Sequence, residues 1–142
     1  MANTKLTAGA YDERENILHL WFPQRVELVD VDGVRLFFDE VIGDWIKPRP
    51  RPPYLLVNFG NLHIRPNLAE AYARNIERFQ PMLLGTFRYN VPASFTGVTV
   101  ALGNLRLAKG ANIYPDERSA REAIRQAKEA KEQAGGSRPR GH

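Results

Sequence analysis

The stretch Tyr54-Leu55-Leu56-Val57-Asn58-Phe59 decides the fold, because it is nearly continuous in apolar side chains. Such a run is typical of a strand that is buried on both faces, as in a parallel sheet. The preceding residues 47–53 are rich in proline, which removes backbone donors and favours polyproline II, so they are predicted to form a stiff loop. Their Lys-x-x-Pro-x-x-Pro spacing also fits an SH3 ligand, and whether this loop has a function stays open.

Upstream of this strand, the sequence predicts a hairpin and then a helix. Residues 6–11 and 17–22 are strand-like runs on either side of a polar turn, and Pro23 ends the second run. The helix that follows is amphipathic, with Asp30 or Asp32 as its N-cap. Its apolar positions recur at helical spacing and are Val34, Phe37, Phe38, Val41, Ile42 and Trp45.

Downstream of this strand, helices and strands alternate. The predicted elements are a helix that begins at Pro66 and ends before Pro81, a strand at 82–89, a helix at 94–107, a strand at 112–114, and a last helix capped by Asp116. Gly97 and Gly103 weaken the helix at 94–107, but they also allow close packing or a bound ligand. The order β-β-α-β-α-β-α-β-α predicts an α/β fold with a mostly parallel sheet of four to five strands, an N-terminal hairpin at its edge, and helices packed against it.

The sequence places the domain at residues 6–127. The apolar stripe of the last helix consists of alanines and Ile124, and it ends at Ala127. Beyond that point the helix has no apolar face to bury. Residues 128–142 are therefore predicted to form a solvent-exposed helix end and a disordered basic tail.

Composition and charge point to a cytoplasmic protein. The 142 residues include no cysteine, and the N-terminus lacks the apolar segment of a signal peptide. No apolar run is long enough to span a membrane. The net charge of +4 is uneven, with −5 in residues 1–46 and +7 in residues 47–115, but no dense basic run or nucleic-acid motif occurs. We therefore expect no nucleic-acid partner.

The succession of elements resembles a STAS domain, the fold of bacterial anti-sigma-factor antagonists and of sulfate-transporter tails. It is most similar to the stand-alone bacterial STAS-like branch that is grouped with CRAL-TRIO lipid-transfer domains. The resemblance spans roughly residues 6–127. The segments that carry it are 54–59, 61–64, 87–90 and 112–120. The resemblance implies a regulatory or scaffolding module that binds a protein partner, such as a kinase-like or signalling regulator.

One segment departs from the pattern of these antagonists, which usually have Asp-Ser-Ser-Gly or a similar motif at the start of the second helix. A kinase phosphorylates a serine of that motif. The corresponding residues here read Arg65-Pro66-Asn67-Leu68-Ala69, and Asn67 stands at the position of the phosphorylated serine. Because an asparagine has no hydroxyl, we expect no phosphorylation switch at this position.

Polar side chains follow the predicted parallel strands where each strand ends. Ligands of open α/β sheets favour this carboxyl edge, and amide donors at a helix start favour anions. The sequence therefore predicts a partner or ligand site at this edge. Its candidate residues are Asn58, His63, Arg65, Asn67, Arg88, Tyr89, Asn90, Ser94 and Thr96.

Motifs for catalysis or metal binding are not found. The histidines His19, His63 and His142 have no neighbours at metal-ligand spacing. The sequence has no Gly-x-Ser-x-Gly elbow and no phosphate-binding loop, and its paired carboxylates fit helix caps and solvated faces. We expect no enzymatic activity, no metal and no cofactor.

Two functions stay open at this point. The first is a non-enzymatic STAS-type interaction module whose contact surface is the region from Arg65 to Tyr72. The second is binding of a small amphipathic or anionic ligand, a lipid or a nucleotide, at the carboxyl edge of the sheet. The oligomeric state, including a homodimer, also stays open.

Overall fold

The computed structural model describes residues 7–46, 50–104 and 112–136. Five strands form the main sheet, and two shorter strands form a second one. The strands are β1 (Ala8–Asp12), β2 (Ile17–Trp21), β3 (Val26–Leu28), β4 (Tyr54–Asn58), β5 (Leu62–Ile64), β6 (Gly85–Tyr89) and β7 (Asn112–Tyr114).

The main sheet has the order β1-β2-β4-β6-β7. β1 and β2 pair antiparallel, whereas β2–β4, β4–β6 and β6–β7 pair parallel. In this register Leu56 of the central strand lies opposite His19 on one side and Phe87 on the other. The mostly parallel sheet with an antiparallel hairpin at its edge confirms the predicted fold class.

Helix α1 covers residues 31–46, and its central part is π-helical. Two α-helical segments, Val31–Leu36 and Gly43–Ile46, flank the π-helical turns Phe37–Ile42. Of the two predicted candidates, Asp30 is the N-cap, because its Oδ1 accepts a hydrogen bond of 2.6 Å from the Gly33 amide, whereas Asp32 lies in the first turn. At Gly43 a Cβ atom would lie 2.8 Å from the Phe38 carbonyl oxygen, so the π-helical turn requires a glycine there.

The other helices are α2 (Ala69–Phe79), α3 (Thr96–Asn104) and α4 (Glu117–Gly136). Short 3-10 turns, Pro66–Leu68 and Ala93–Phe95, lead into α2 and α3. Another, Gln80–Met82, follows α2, so β6 starts three residues later than predicted, at Gly85. Part of the predicted helix 94–107 and the first residue of the predicted strand 6–11 lie outside the described residues. Asp116 accepts a hydrogen bond of 2.8 Å from the Ser119 amide, which confirms the predicted N-cap of α4.

The second sheet, in which β3 and β5 pair parallel, was not predicted from the sequence. Each strand has three residues, too few for alternation to distinguish a strand from a loop. Backbone hydrogen bonds from Val26 to Asn61 and from Arg65 to Leu28 extend the pairing at both ends, at 2.8 and 3.1 Å. This small sheet fixes the position from which the chain enters α2.

The alternation of side chains along β4 divides the core between the two faces of the main sheet. Leu55 and Val57 pack with α1, α2 and α3, whereas Tyr54 and Leu56 pack with α4. Both sets are buried, as the continuous apolar sequence predicts. α1, α2 and α3 therefore lie on one face, and α4 lies on the other.

α2 and α3 approach each other closely at Gly97. A Cβ atom at this position would lie 3.2 Å from the Cβ of Ala69. This contact confirms that Gly97 allows close packing, and it explains why the sequence tolerates a glycine near the start of a helix.

Among the described helices, none is both long enough and apolar enough to cross a membrane.

Candidate functional site

Asn58 and Asn90 meet at the carboxyl edge of the main sheet. The Asn58 side-chain oxygen accepts hydrogen bonds from the Gly60 amide at 2.9 Å and from the Asn90 side-chain amide at 3.3 Å. The Phe59 amide also donates to the Tyr89 carbonyl oxygen at 3.0 Å. Asn90 has a φ of 56°, a left-handed conformation that asparagine tolerates better than most residues. These bonds use the amides of both asparagines to hold the two loops together.

A second group of predicted site residues lies around the starts of α2 and α3. His63 is half-buried in β5, and Arg65 and Asn67 are exposed just after it. The Ser94 hydroxyl accepts a hydrogen bond of 3.4 Å from the Ile64 amide, and the Thr96 hydroxyl donates to the Ala93 carbonyl oxygen at 2.8 Å. Both hydroxyls therefore brace local backbone turns.

Beside this group, two valines are exposed. Val29 and Val31 follow β3 directly and are 44% and 60% exposed. They lie next to the start of α2, because Leu28 and Ile64 are paired in the small sheet and the Arg65 amide donates to the Leu28 carbonyl oxygen. We call Val29, Val31, Arg65 and Asn67 the β3–α2 surface. This surface therefore combines two exposed apolar side chains with one cation and one side-chain amide.

The structure separates the last two predicted site residues, Arg88 and Tyr89. They are consecutive in β6 and therefore face opposite sides of the sheet. Arg88 is buried among α1, α2 and α3, where its guanidinium carbon lies 5.9 Å from the centroid of the Phe59 ring. Tyr89 is buried on the α4 side. Neither residue therefore lies with Arg65 and Asn67 on the exposed surface.

On the α4 side, Tyr89 belongs to a ring of polar side chains. Its hydroxyl lies 2.7 Å from His19 Nε2 and also hydrogen bonds with Asn58 and Glu117. Arg121 of α4 donates to Glu117 at 2.7 Å and lies 3.4 Å from His19 Nδ1. We call His19, Tyr89, Glu117 and Arg121 the polar ring. It connects β2 and β6 to the first turns of α4.

The hydrogen-bond chemistry of the polar ring assigns the tautomer of its histidine. Arginine only donates, so His19 Nδ1 must accept and Nε2 must carry the proton. Nε2 then donates to the Tyr89 oxygen, and the tyrosine donates its own proton to Glu117. The ring is fully satisfied when His19 is neutral.

The pKa values in the polar ring follow from burial and from these charges. Burial lowers the pKa of His19, and Arg121 adds to this effect while Glu117 opposes it. Burial, together with the Glu117 carboxylate, raises the pKa of Tyr89 to about 12. The hydrogen bond from Arg121 lowers the pKa of Glu117. At neutral pH the ring therefore contains one ion pair, a neutral histidine and a neutral tyrosine.

Sequence reasoning missed three members of the polar ring. The sequence indicates that His19 is a strand residue with a satisfied ring, but it does not identify the partners of that ring, and Glu117 and Arg121 belong to an ordinary helix start. The i, i+4 spacing of Glu117 and Arg121 does predict an ion pair on α4. Only the pairing of β2 with β4, and of β4 with β6, however, brings this pair to a histidine about a hundred residues earlier in the chain.

The described residues contain no group of three or more His, Asp or Glu side chains that could hold a metal ion. The polar ring has one histidine and one carboxylate. Its other two members, a neutral tyrosine and an arginine, are poor metal ligands.

Comparison with known proteins gives a likeness in structure alone. No protein-family model matches the chain, and no curated protein sequence matches it either. The chain is similar to a solved structure described as "The overall structure of SLC26A9", which contains a STAS domain, with a TM-score of 0.58 and 11% identity. The match covers 83% of this chain but only 21% of the other chain. The chain therefore has a STAS-like α/β fold.

Proposed function

We propose that this chain is a regulatory or scaffolding protein-interaction module of STAS type that acts in the cytoplasm. STAS-like folds are generally non-enzymatic. The observation that carries the proposal is the β3–α2 surface, where two exposed valines stand beside Arg65. Its partner is a protein, of the kinase-like or signalling-regulator class, with an apolar contact patch and an acidic group that pairs with the arginine.

The composition of the β3–α2 surface fits a specific protein contact. Val29 and Val31 would lose water on binding, which favours association in proportion to the apolar area buried. Arg65 has an exposed guanidinium at the rim, where a charge sets orientation and association rate more than affinity. Val29 follows β3, Val31 begins α1 and Arg65 follows β5, so the pairing of β3 with β5 places the valines and the arginine at the same end of the small sheet.

Regulation of this contact would not use phosphorylation at the position of Asn67, where the antagonists have the phosphorylated serine. Asn67 is exposed in the first turn before α2, so its side chain is available to a partner but carries no hydroxyl. Control would then come from the amount of protein, from a ligand or from another site. Replacing Asn67→Asp adds a negative charge at this place and should change the affinity for the partner, whereas Asn67→Gln should change it less.

A pull-down with quantitative mass spectrometry tests the proposal. The bait is the whole chain, compared with the variant Val31→Asp/Arg65→Glu and with the variant Arg65→Glu/Arg74→Glu. Arg118→Glu, an exposed arginine on α4 across the sheet, is the matched control. A defined protein should be captured by the unmodified chain and the control, and lost from both surface variants.

Two results would contradict the proposal. One is that the surface variants retain every captured protein as well as the control does. The other is that nothing is captured, while native mass spectrometry of the purified chain finds a bound lipid or nucleotide. That second result would favour the ligand-binding alternative instead.

A further inference from the structure

The imidazole of His19 lies between a hydroxyl and a guanidinium. Its Nε2 is 2.7 Å from the hydroxyl of Tyr89, which stays neutral because burial and the Glu117 carboxylate raise its pKa to about 12. Its Nδ1 is 3.4 Å from a guanidinium nitrogen of Arg121 in α4. Because arginine only donates hydrogen bonds, the contact with Arg121 requires an Nδ1 without a proton. Protonation of the imidazole would therefore place one donor against another.

The charges around His19 balance only while the imidazole is neutral. The charged groups that act on it are Glu117 and Arg121, both of which come from α4. In the sheet, His19 lies opposite Ala10 of β1 and Leu56 of β4, which carry no charge. A protonated His19 would leave two cations with one carboxylate, and it would do so beside the N-terminal end of a helix, where positive charge is unfavourable.

The first turns of α4 have little apolar packing to hold them on the sheet. Of the five described side chains at 117–121, only that of Ala120 is buried. Glu117 and Arg121 are half-buried and reach the sheet through the polar ring. Ile124, the next buried side chain, is 1% exposed and belongs to the apolar cluster on this face. The polar ring therefore holds the start of α4, and apolar packing holds its middle.

We propose that the polar ring is a pH-sensitive switch: in mild acid His19 takes up a proton, Arg121 is displaced, and residues 117–121 leave the sheet and unwind. A helix end without tertiary packing is not stable alone, so release and unwinding occur together. Ile124 keeps the middle of α4 in place, so the change is local. The released state exposes the α4 side of β2, where His19 and Trp21 are half-buried in the docked state.

The direction of the switch follows from proton linkage. In the docked state burial lowers the pKa of His19, while Glu117 opposes this effect and Arg121 adds to it. In the released state the imidazole is in water, and its pKa returns towards 6.5. The released state therefore binds the proton first as the pH falls. Its population rises by up to about tenfold for each pH unit below 6.5, until the docked state is protonated as well.

This switch is separate from the β3–α2 surface, and the proposal does not depend on the protein-interaction function. α4 lies on one face of the main sheet, whereas Arg65 and Asn67 lead into α2 on the other. Either proposal can fail while the other holds, because the switch is measured on the purified chain and the interaction needs a protein partner.

A single buried thiol tests the switch, because the chain has no cysteine of its own. Ala120→Cys places the thiol under the first turns of α4, and the matched control Ala73→Cys places it under α2 on the other face. Both alanines are 0% exposed. Each thiol reacts with dithiodipyridine between about pH 7.5 and about pH 5, a range in which most carboxylates stay ionised. Each rate is divided by that of a short cysteine peptide at the same pH, which removes the effect of thiol ionisation.

The normalised rate at Ala120→Cys should rise at least about threefold as the pH falls, because release takes up one proton. The rate at Ala73→Cys should change by less than about twofold, since α2 stays packed. Adding His19→Gln to Ala120→Cys should abolish the rise, because glutamine does not titrate. Adding His63→Gln, at a half-buried histidine of β5, should leave the rise unchanged.

Amide hydrogen exchange of the unmodified chain keeps the test decisive if Ala120→Cys does not fold. In a helix the amides of 121–124 bond to the carbonyls of 117–120. Relative to intrinsic rates, these amides should exchange at least about threefold faster at the acid end of the range, and those of α2 should not.

The proposal is overturned if the normalised rate at Ala120→Cys stays constant, or if it rises equally at Ala73→Cys. It is also overturned if the rise survives in His19→Gln or is lost in His63→Gln. In the unmodified chain, constant protection of the amides of 121–124 across the pH range would overturn it as well.

Discussion

On one face of the main sheet, 22 of the described buried residues join α1, α2 and α3 into a single apolar cluster. On the other face, the corresponding cluster has seven residues and one helix, α4, which the polar ring also attaches to the sheet. The first face relies on the volume and shape of aromatic side chains. The second combines less apolar burial with hydrogen bonds whose strength depends on protonation. The two faces should therefore respond to different perturbations.

The largest expected effect is on the first face, at Phe38. Its ring contacts those of Phe37, Tyr72 and Phe79, with centroid distances between 4.8 and 5.8 Å. Phe38→Ala should lower the free energy of unfolding by about 3–5 kcal/mol, because it removes buried area and leaves a cavity. Urea denaturation followed by circular dichroism measures this change. The control Leu36→Ala, on the same helix but exposed, should change it by less than about 0.5 kcal/mol.

On the second face, Ile124→Ala should have a smaller but comparable effect. Ile124 is 1% exposed and is the largest α4 side chain in the seven-residue cluster. Its truncation should reduce the free energy of unfolding by about 2–4 kcal/mol. Hydrogen exchange should become faster in α4 than in α1, α2 and α3, because α4 has fewer other contacts to hold it. If hydrogen exchange becomes faster by the same factor in α4 and in α1, α2 and α3, the helices on the two faces unfold as one unit.

Removing one hydroxyl tests the polar ring directly. Tyr89→Phe keeps the aromatic packing but leaves His19 Nε2 and the Asn58 amide without this partner. The free energy of unfolding should fall by about 1–2 kcal/mol, since two partly buried donors lose this acceptor. Tyr114→Phe, on the neighbouring strand and outside the ring, is the control. An equal loss in both variants would show that the ring adds nothing specific.

The pH dependence of stability should separate the two faces further. The pKa of His19 in the folded chain is below its ordinary value of 6.5, so the unfolded chain binds the proton first as the pH falls. The free energy of unfolding should therefore decrease from about pH 6.5 down to the folded pKa and level off below it. A protonated Nδ1 would also face the Arg121 guanidinium.

His19→Gln provides the control for this pH effect, because glutamine does not titrate. Its unfolding free energy should lack the decrease that begins near pH 6.5. Thermal or urea unfolding at closely spaced pH values measures both curves. If the two curves are parallel, the acid sensitivity arises elsewhere in the chain.

The smallest effect should come from the end of α4. Truncation after Gln133 is expected to shift the Tm by less than about 2 °C, because the sequence of the removed residues contains no large apolar side chain. Lys128→Ala should shift the Tm more than the truncation does. The Lys128 ammonium lies 2.8 Å from Glu15 and 5.7 Å from the centroid of the Tyr54 ring, and it covers the edge of the seven-residue cluster. A drop of several degrees on truncation would move the domain boundary beyond residue 127.

The difference between Lys128 and the residues after it illustrates a limit of pattern reasoning. The sequence places the last apolar position of α4 at Ala127 and predicts an exposed helix beyond it. Lys128 nevertheless contacts the domain, because its long aliphatic stem can lie on an aromatic ring while its charge reaches a carboxylate. A hydrophobicity pattern counts lysine as polar throughout and misses this contact.

The candidate sites also combine features that the sequence predicts with features that it does not predict. The sequence predicts that Asn58 and Asn90 meet, because both follow parallel strands and such strands end at one edge of the sheet. It does not distinguish the surroundings of Arg88 from those of Tyr89. Consecutive residues of a strand face opposite sides, but the sequence does not show which side has three helices and which has one.

The sequence by itself determined the order of the four helices and of the five main-sheet strands, the buried central strand, the hairpin and the Asp116 cap, and it narrowed the cap of α1 to Asp30 or Asp32. These depend on local periodicity, on proline and on side chains that bond their own backbone, and such effects act within a few residues. Only the tertiary structure decided the β3–β5 sheet, the position of Arg88 and the joining of His19 to Tyr89, Glu117 and Arg121. These features depend on pairings between residues up to 102 positions apart. The free energy of such contacts comes from the packed whole, so no local stretch of sequence encodes them.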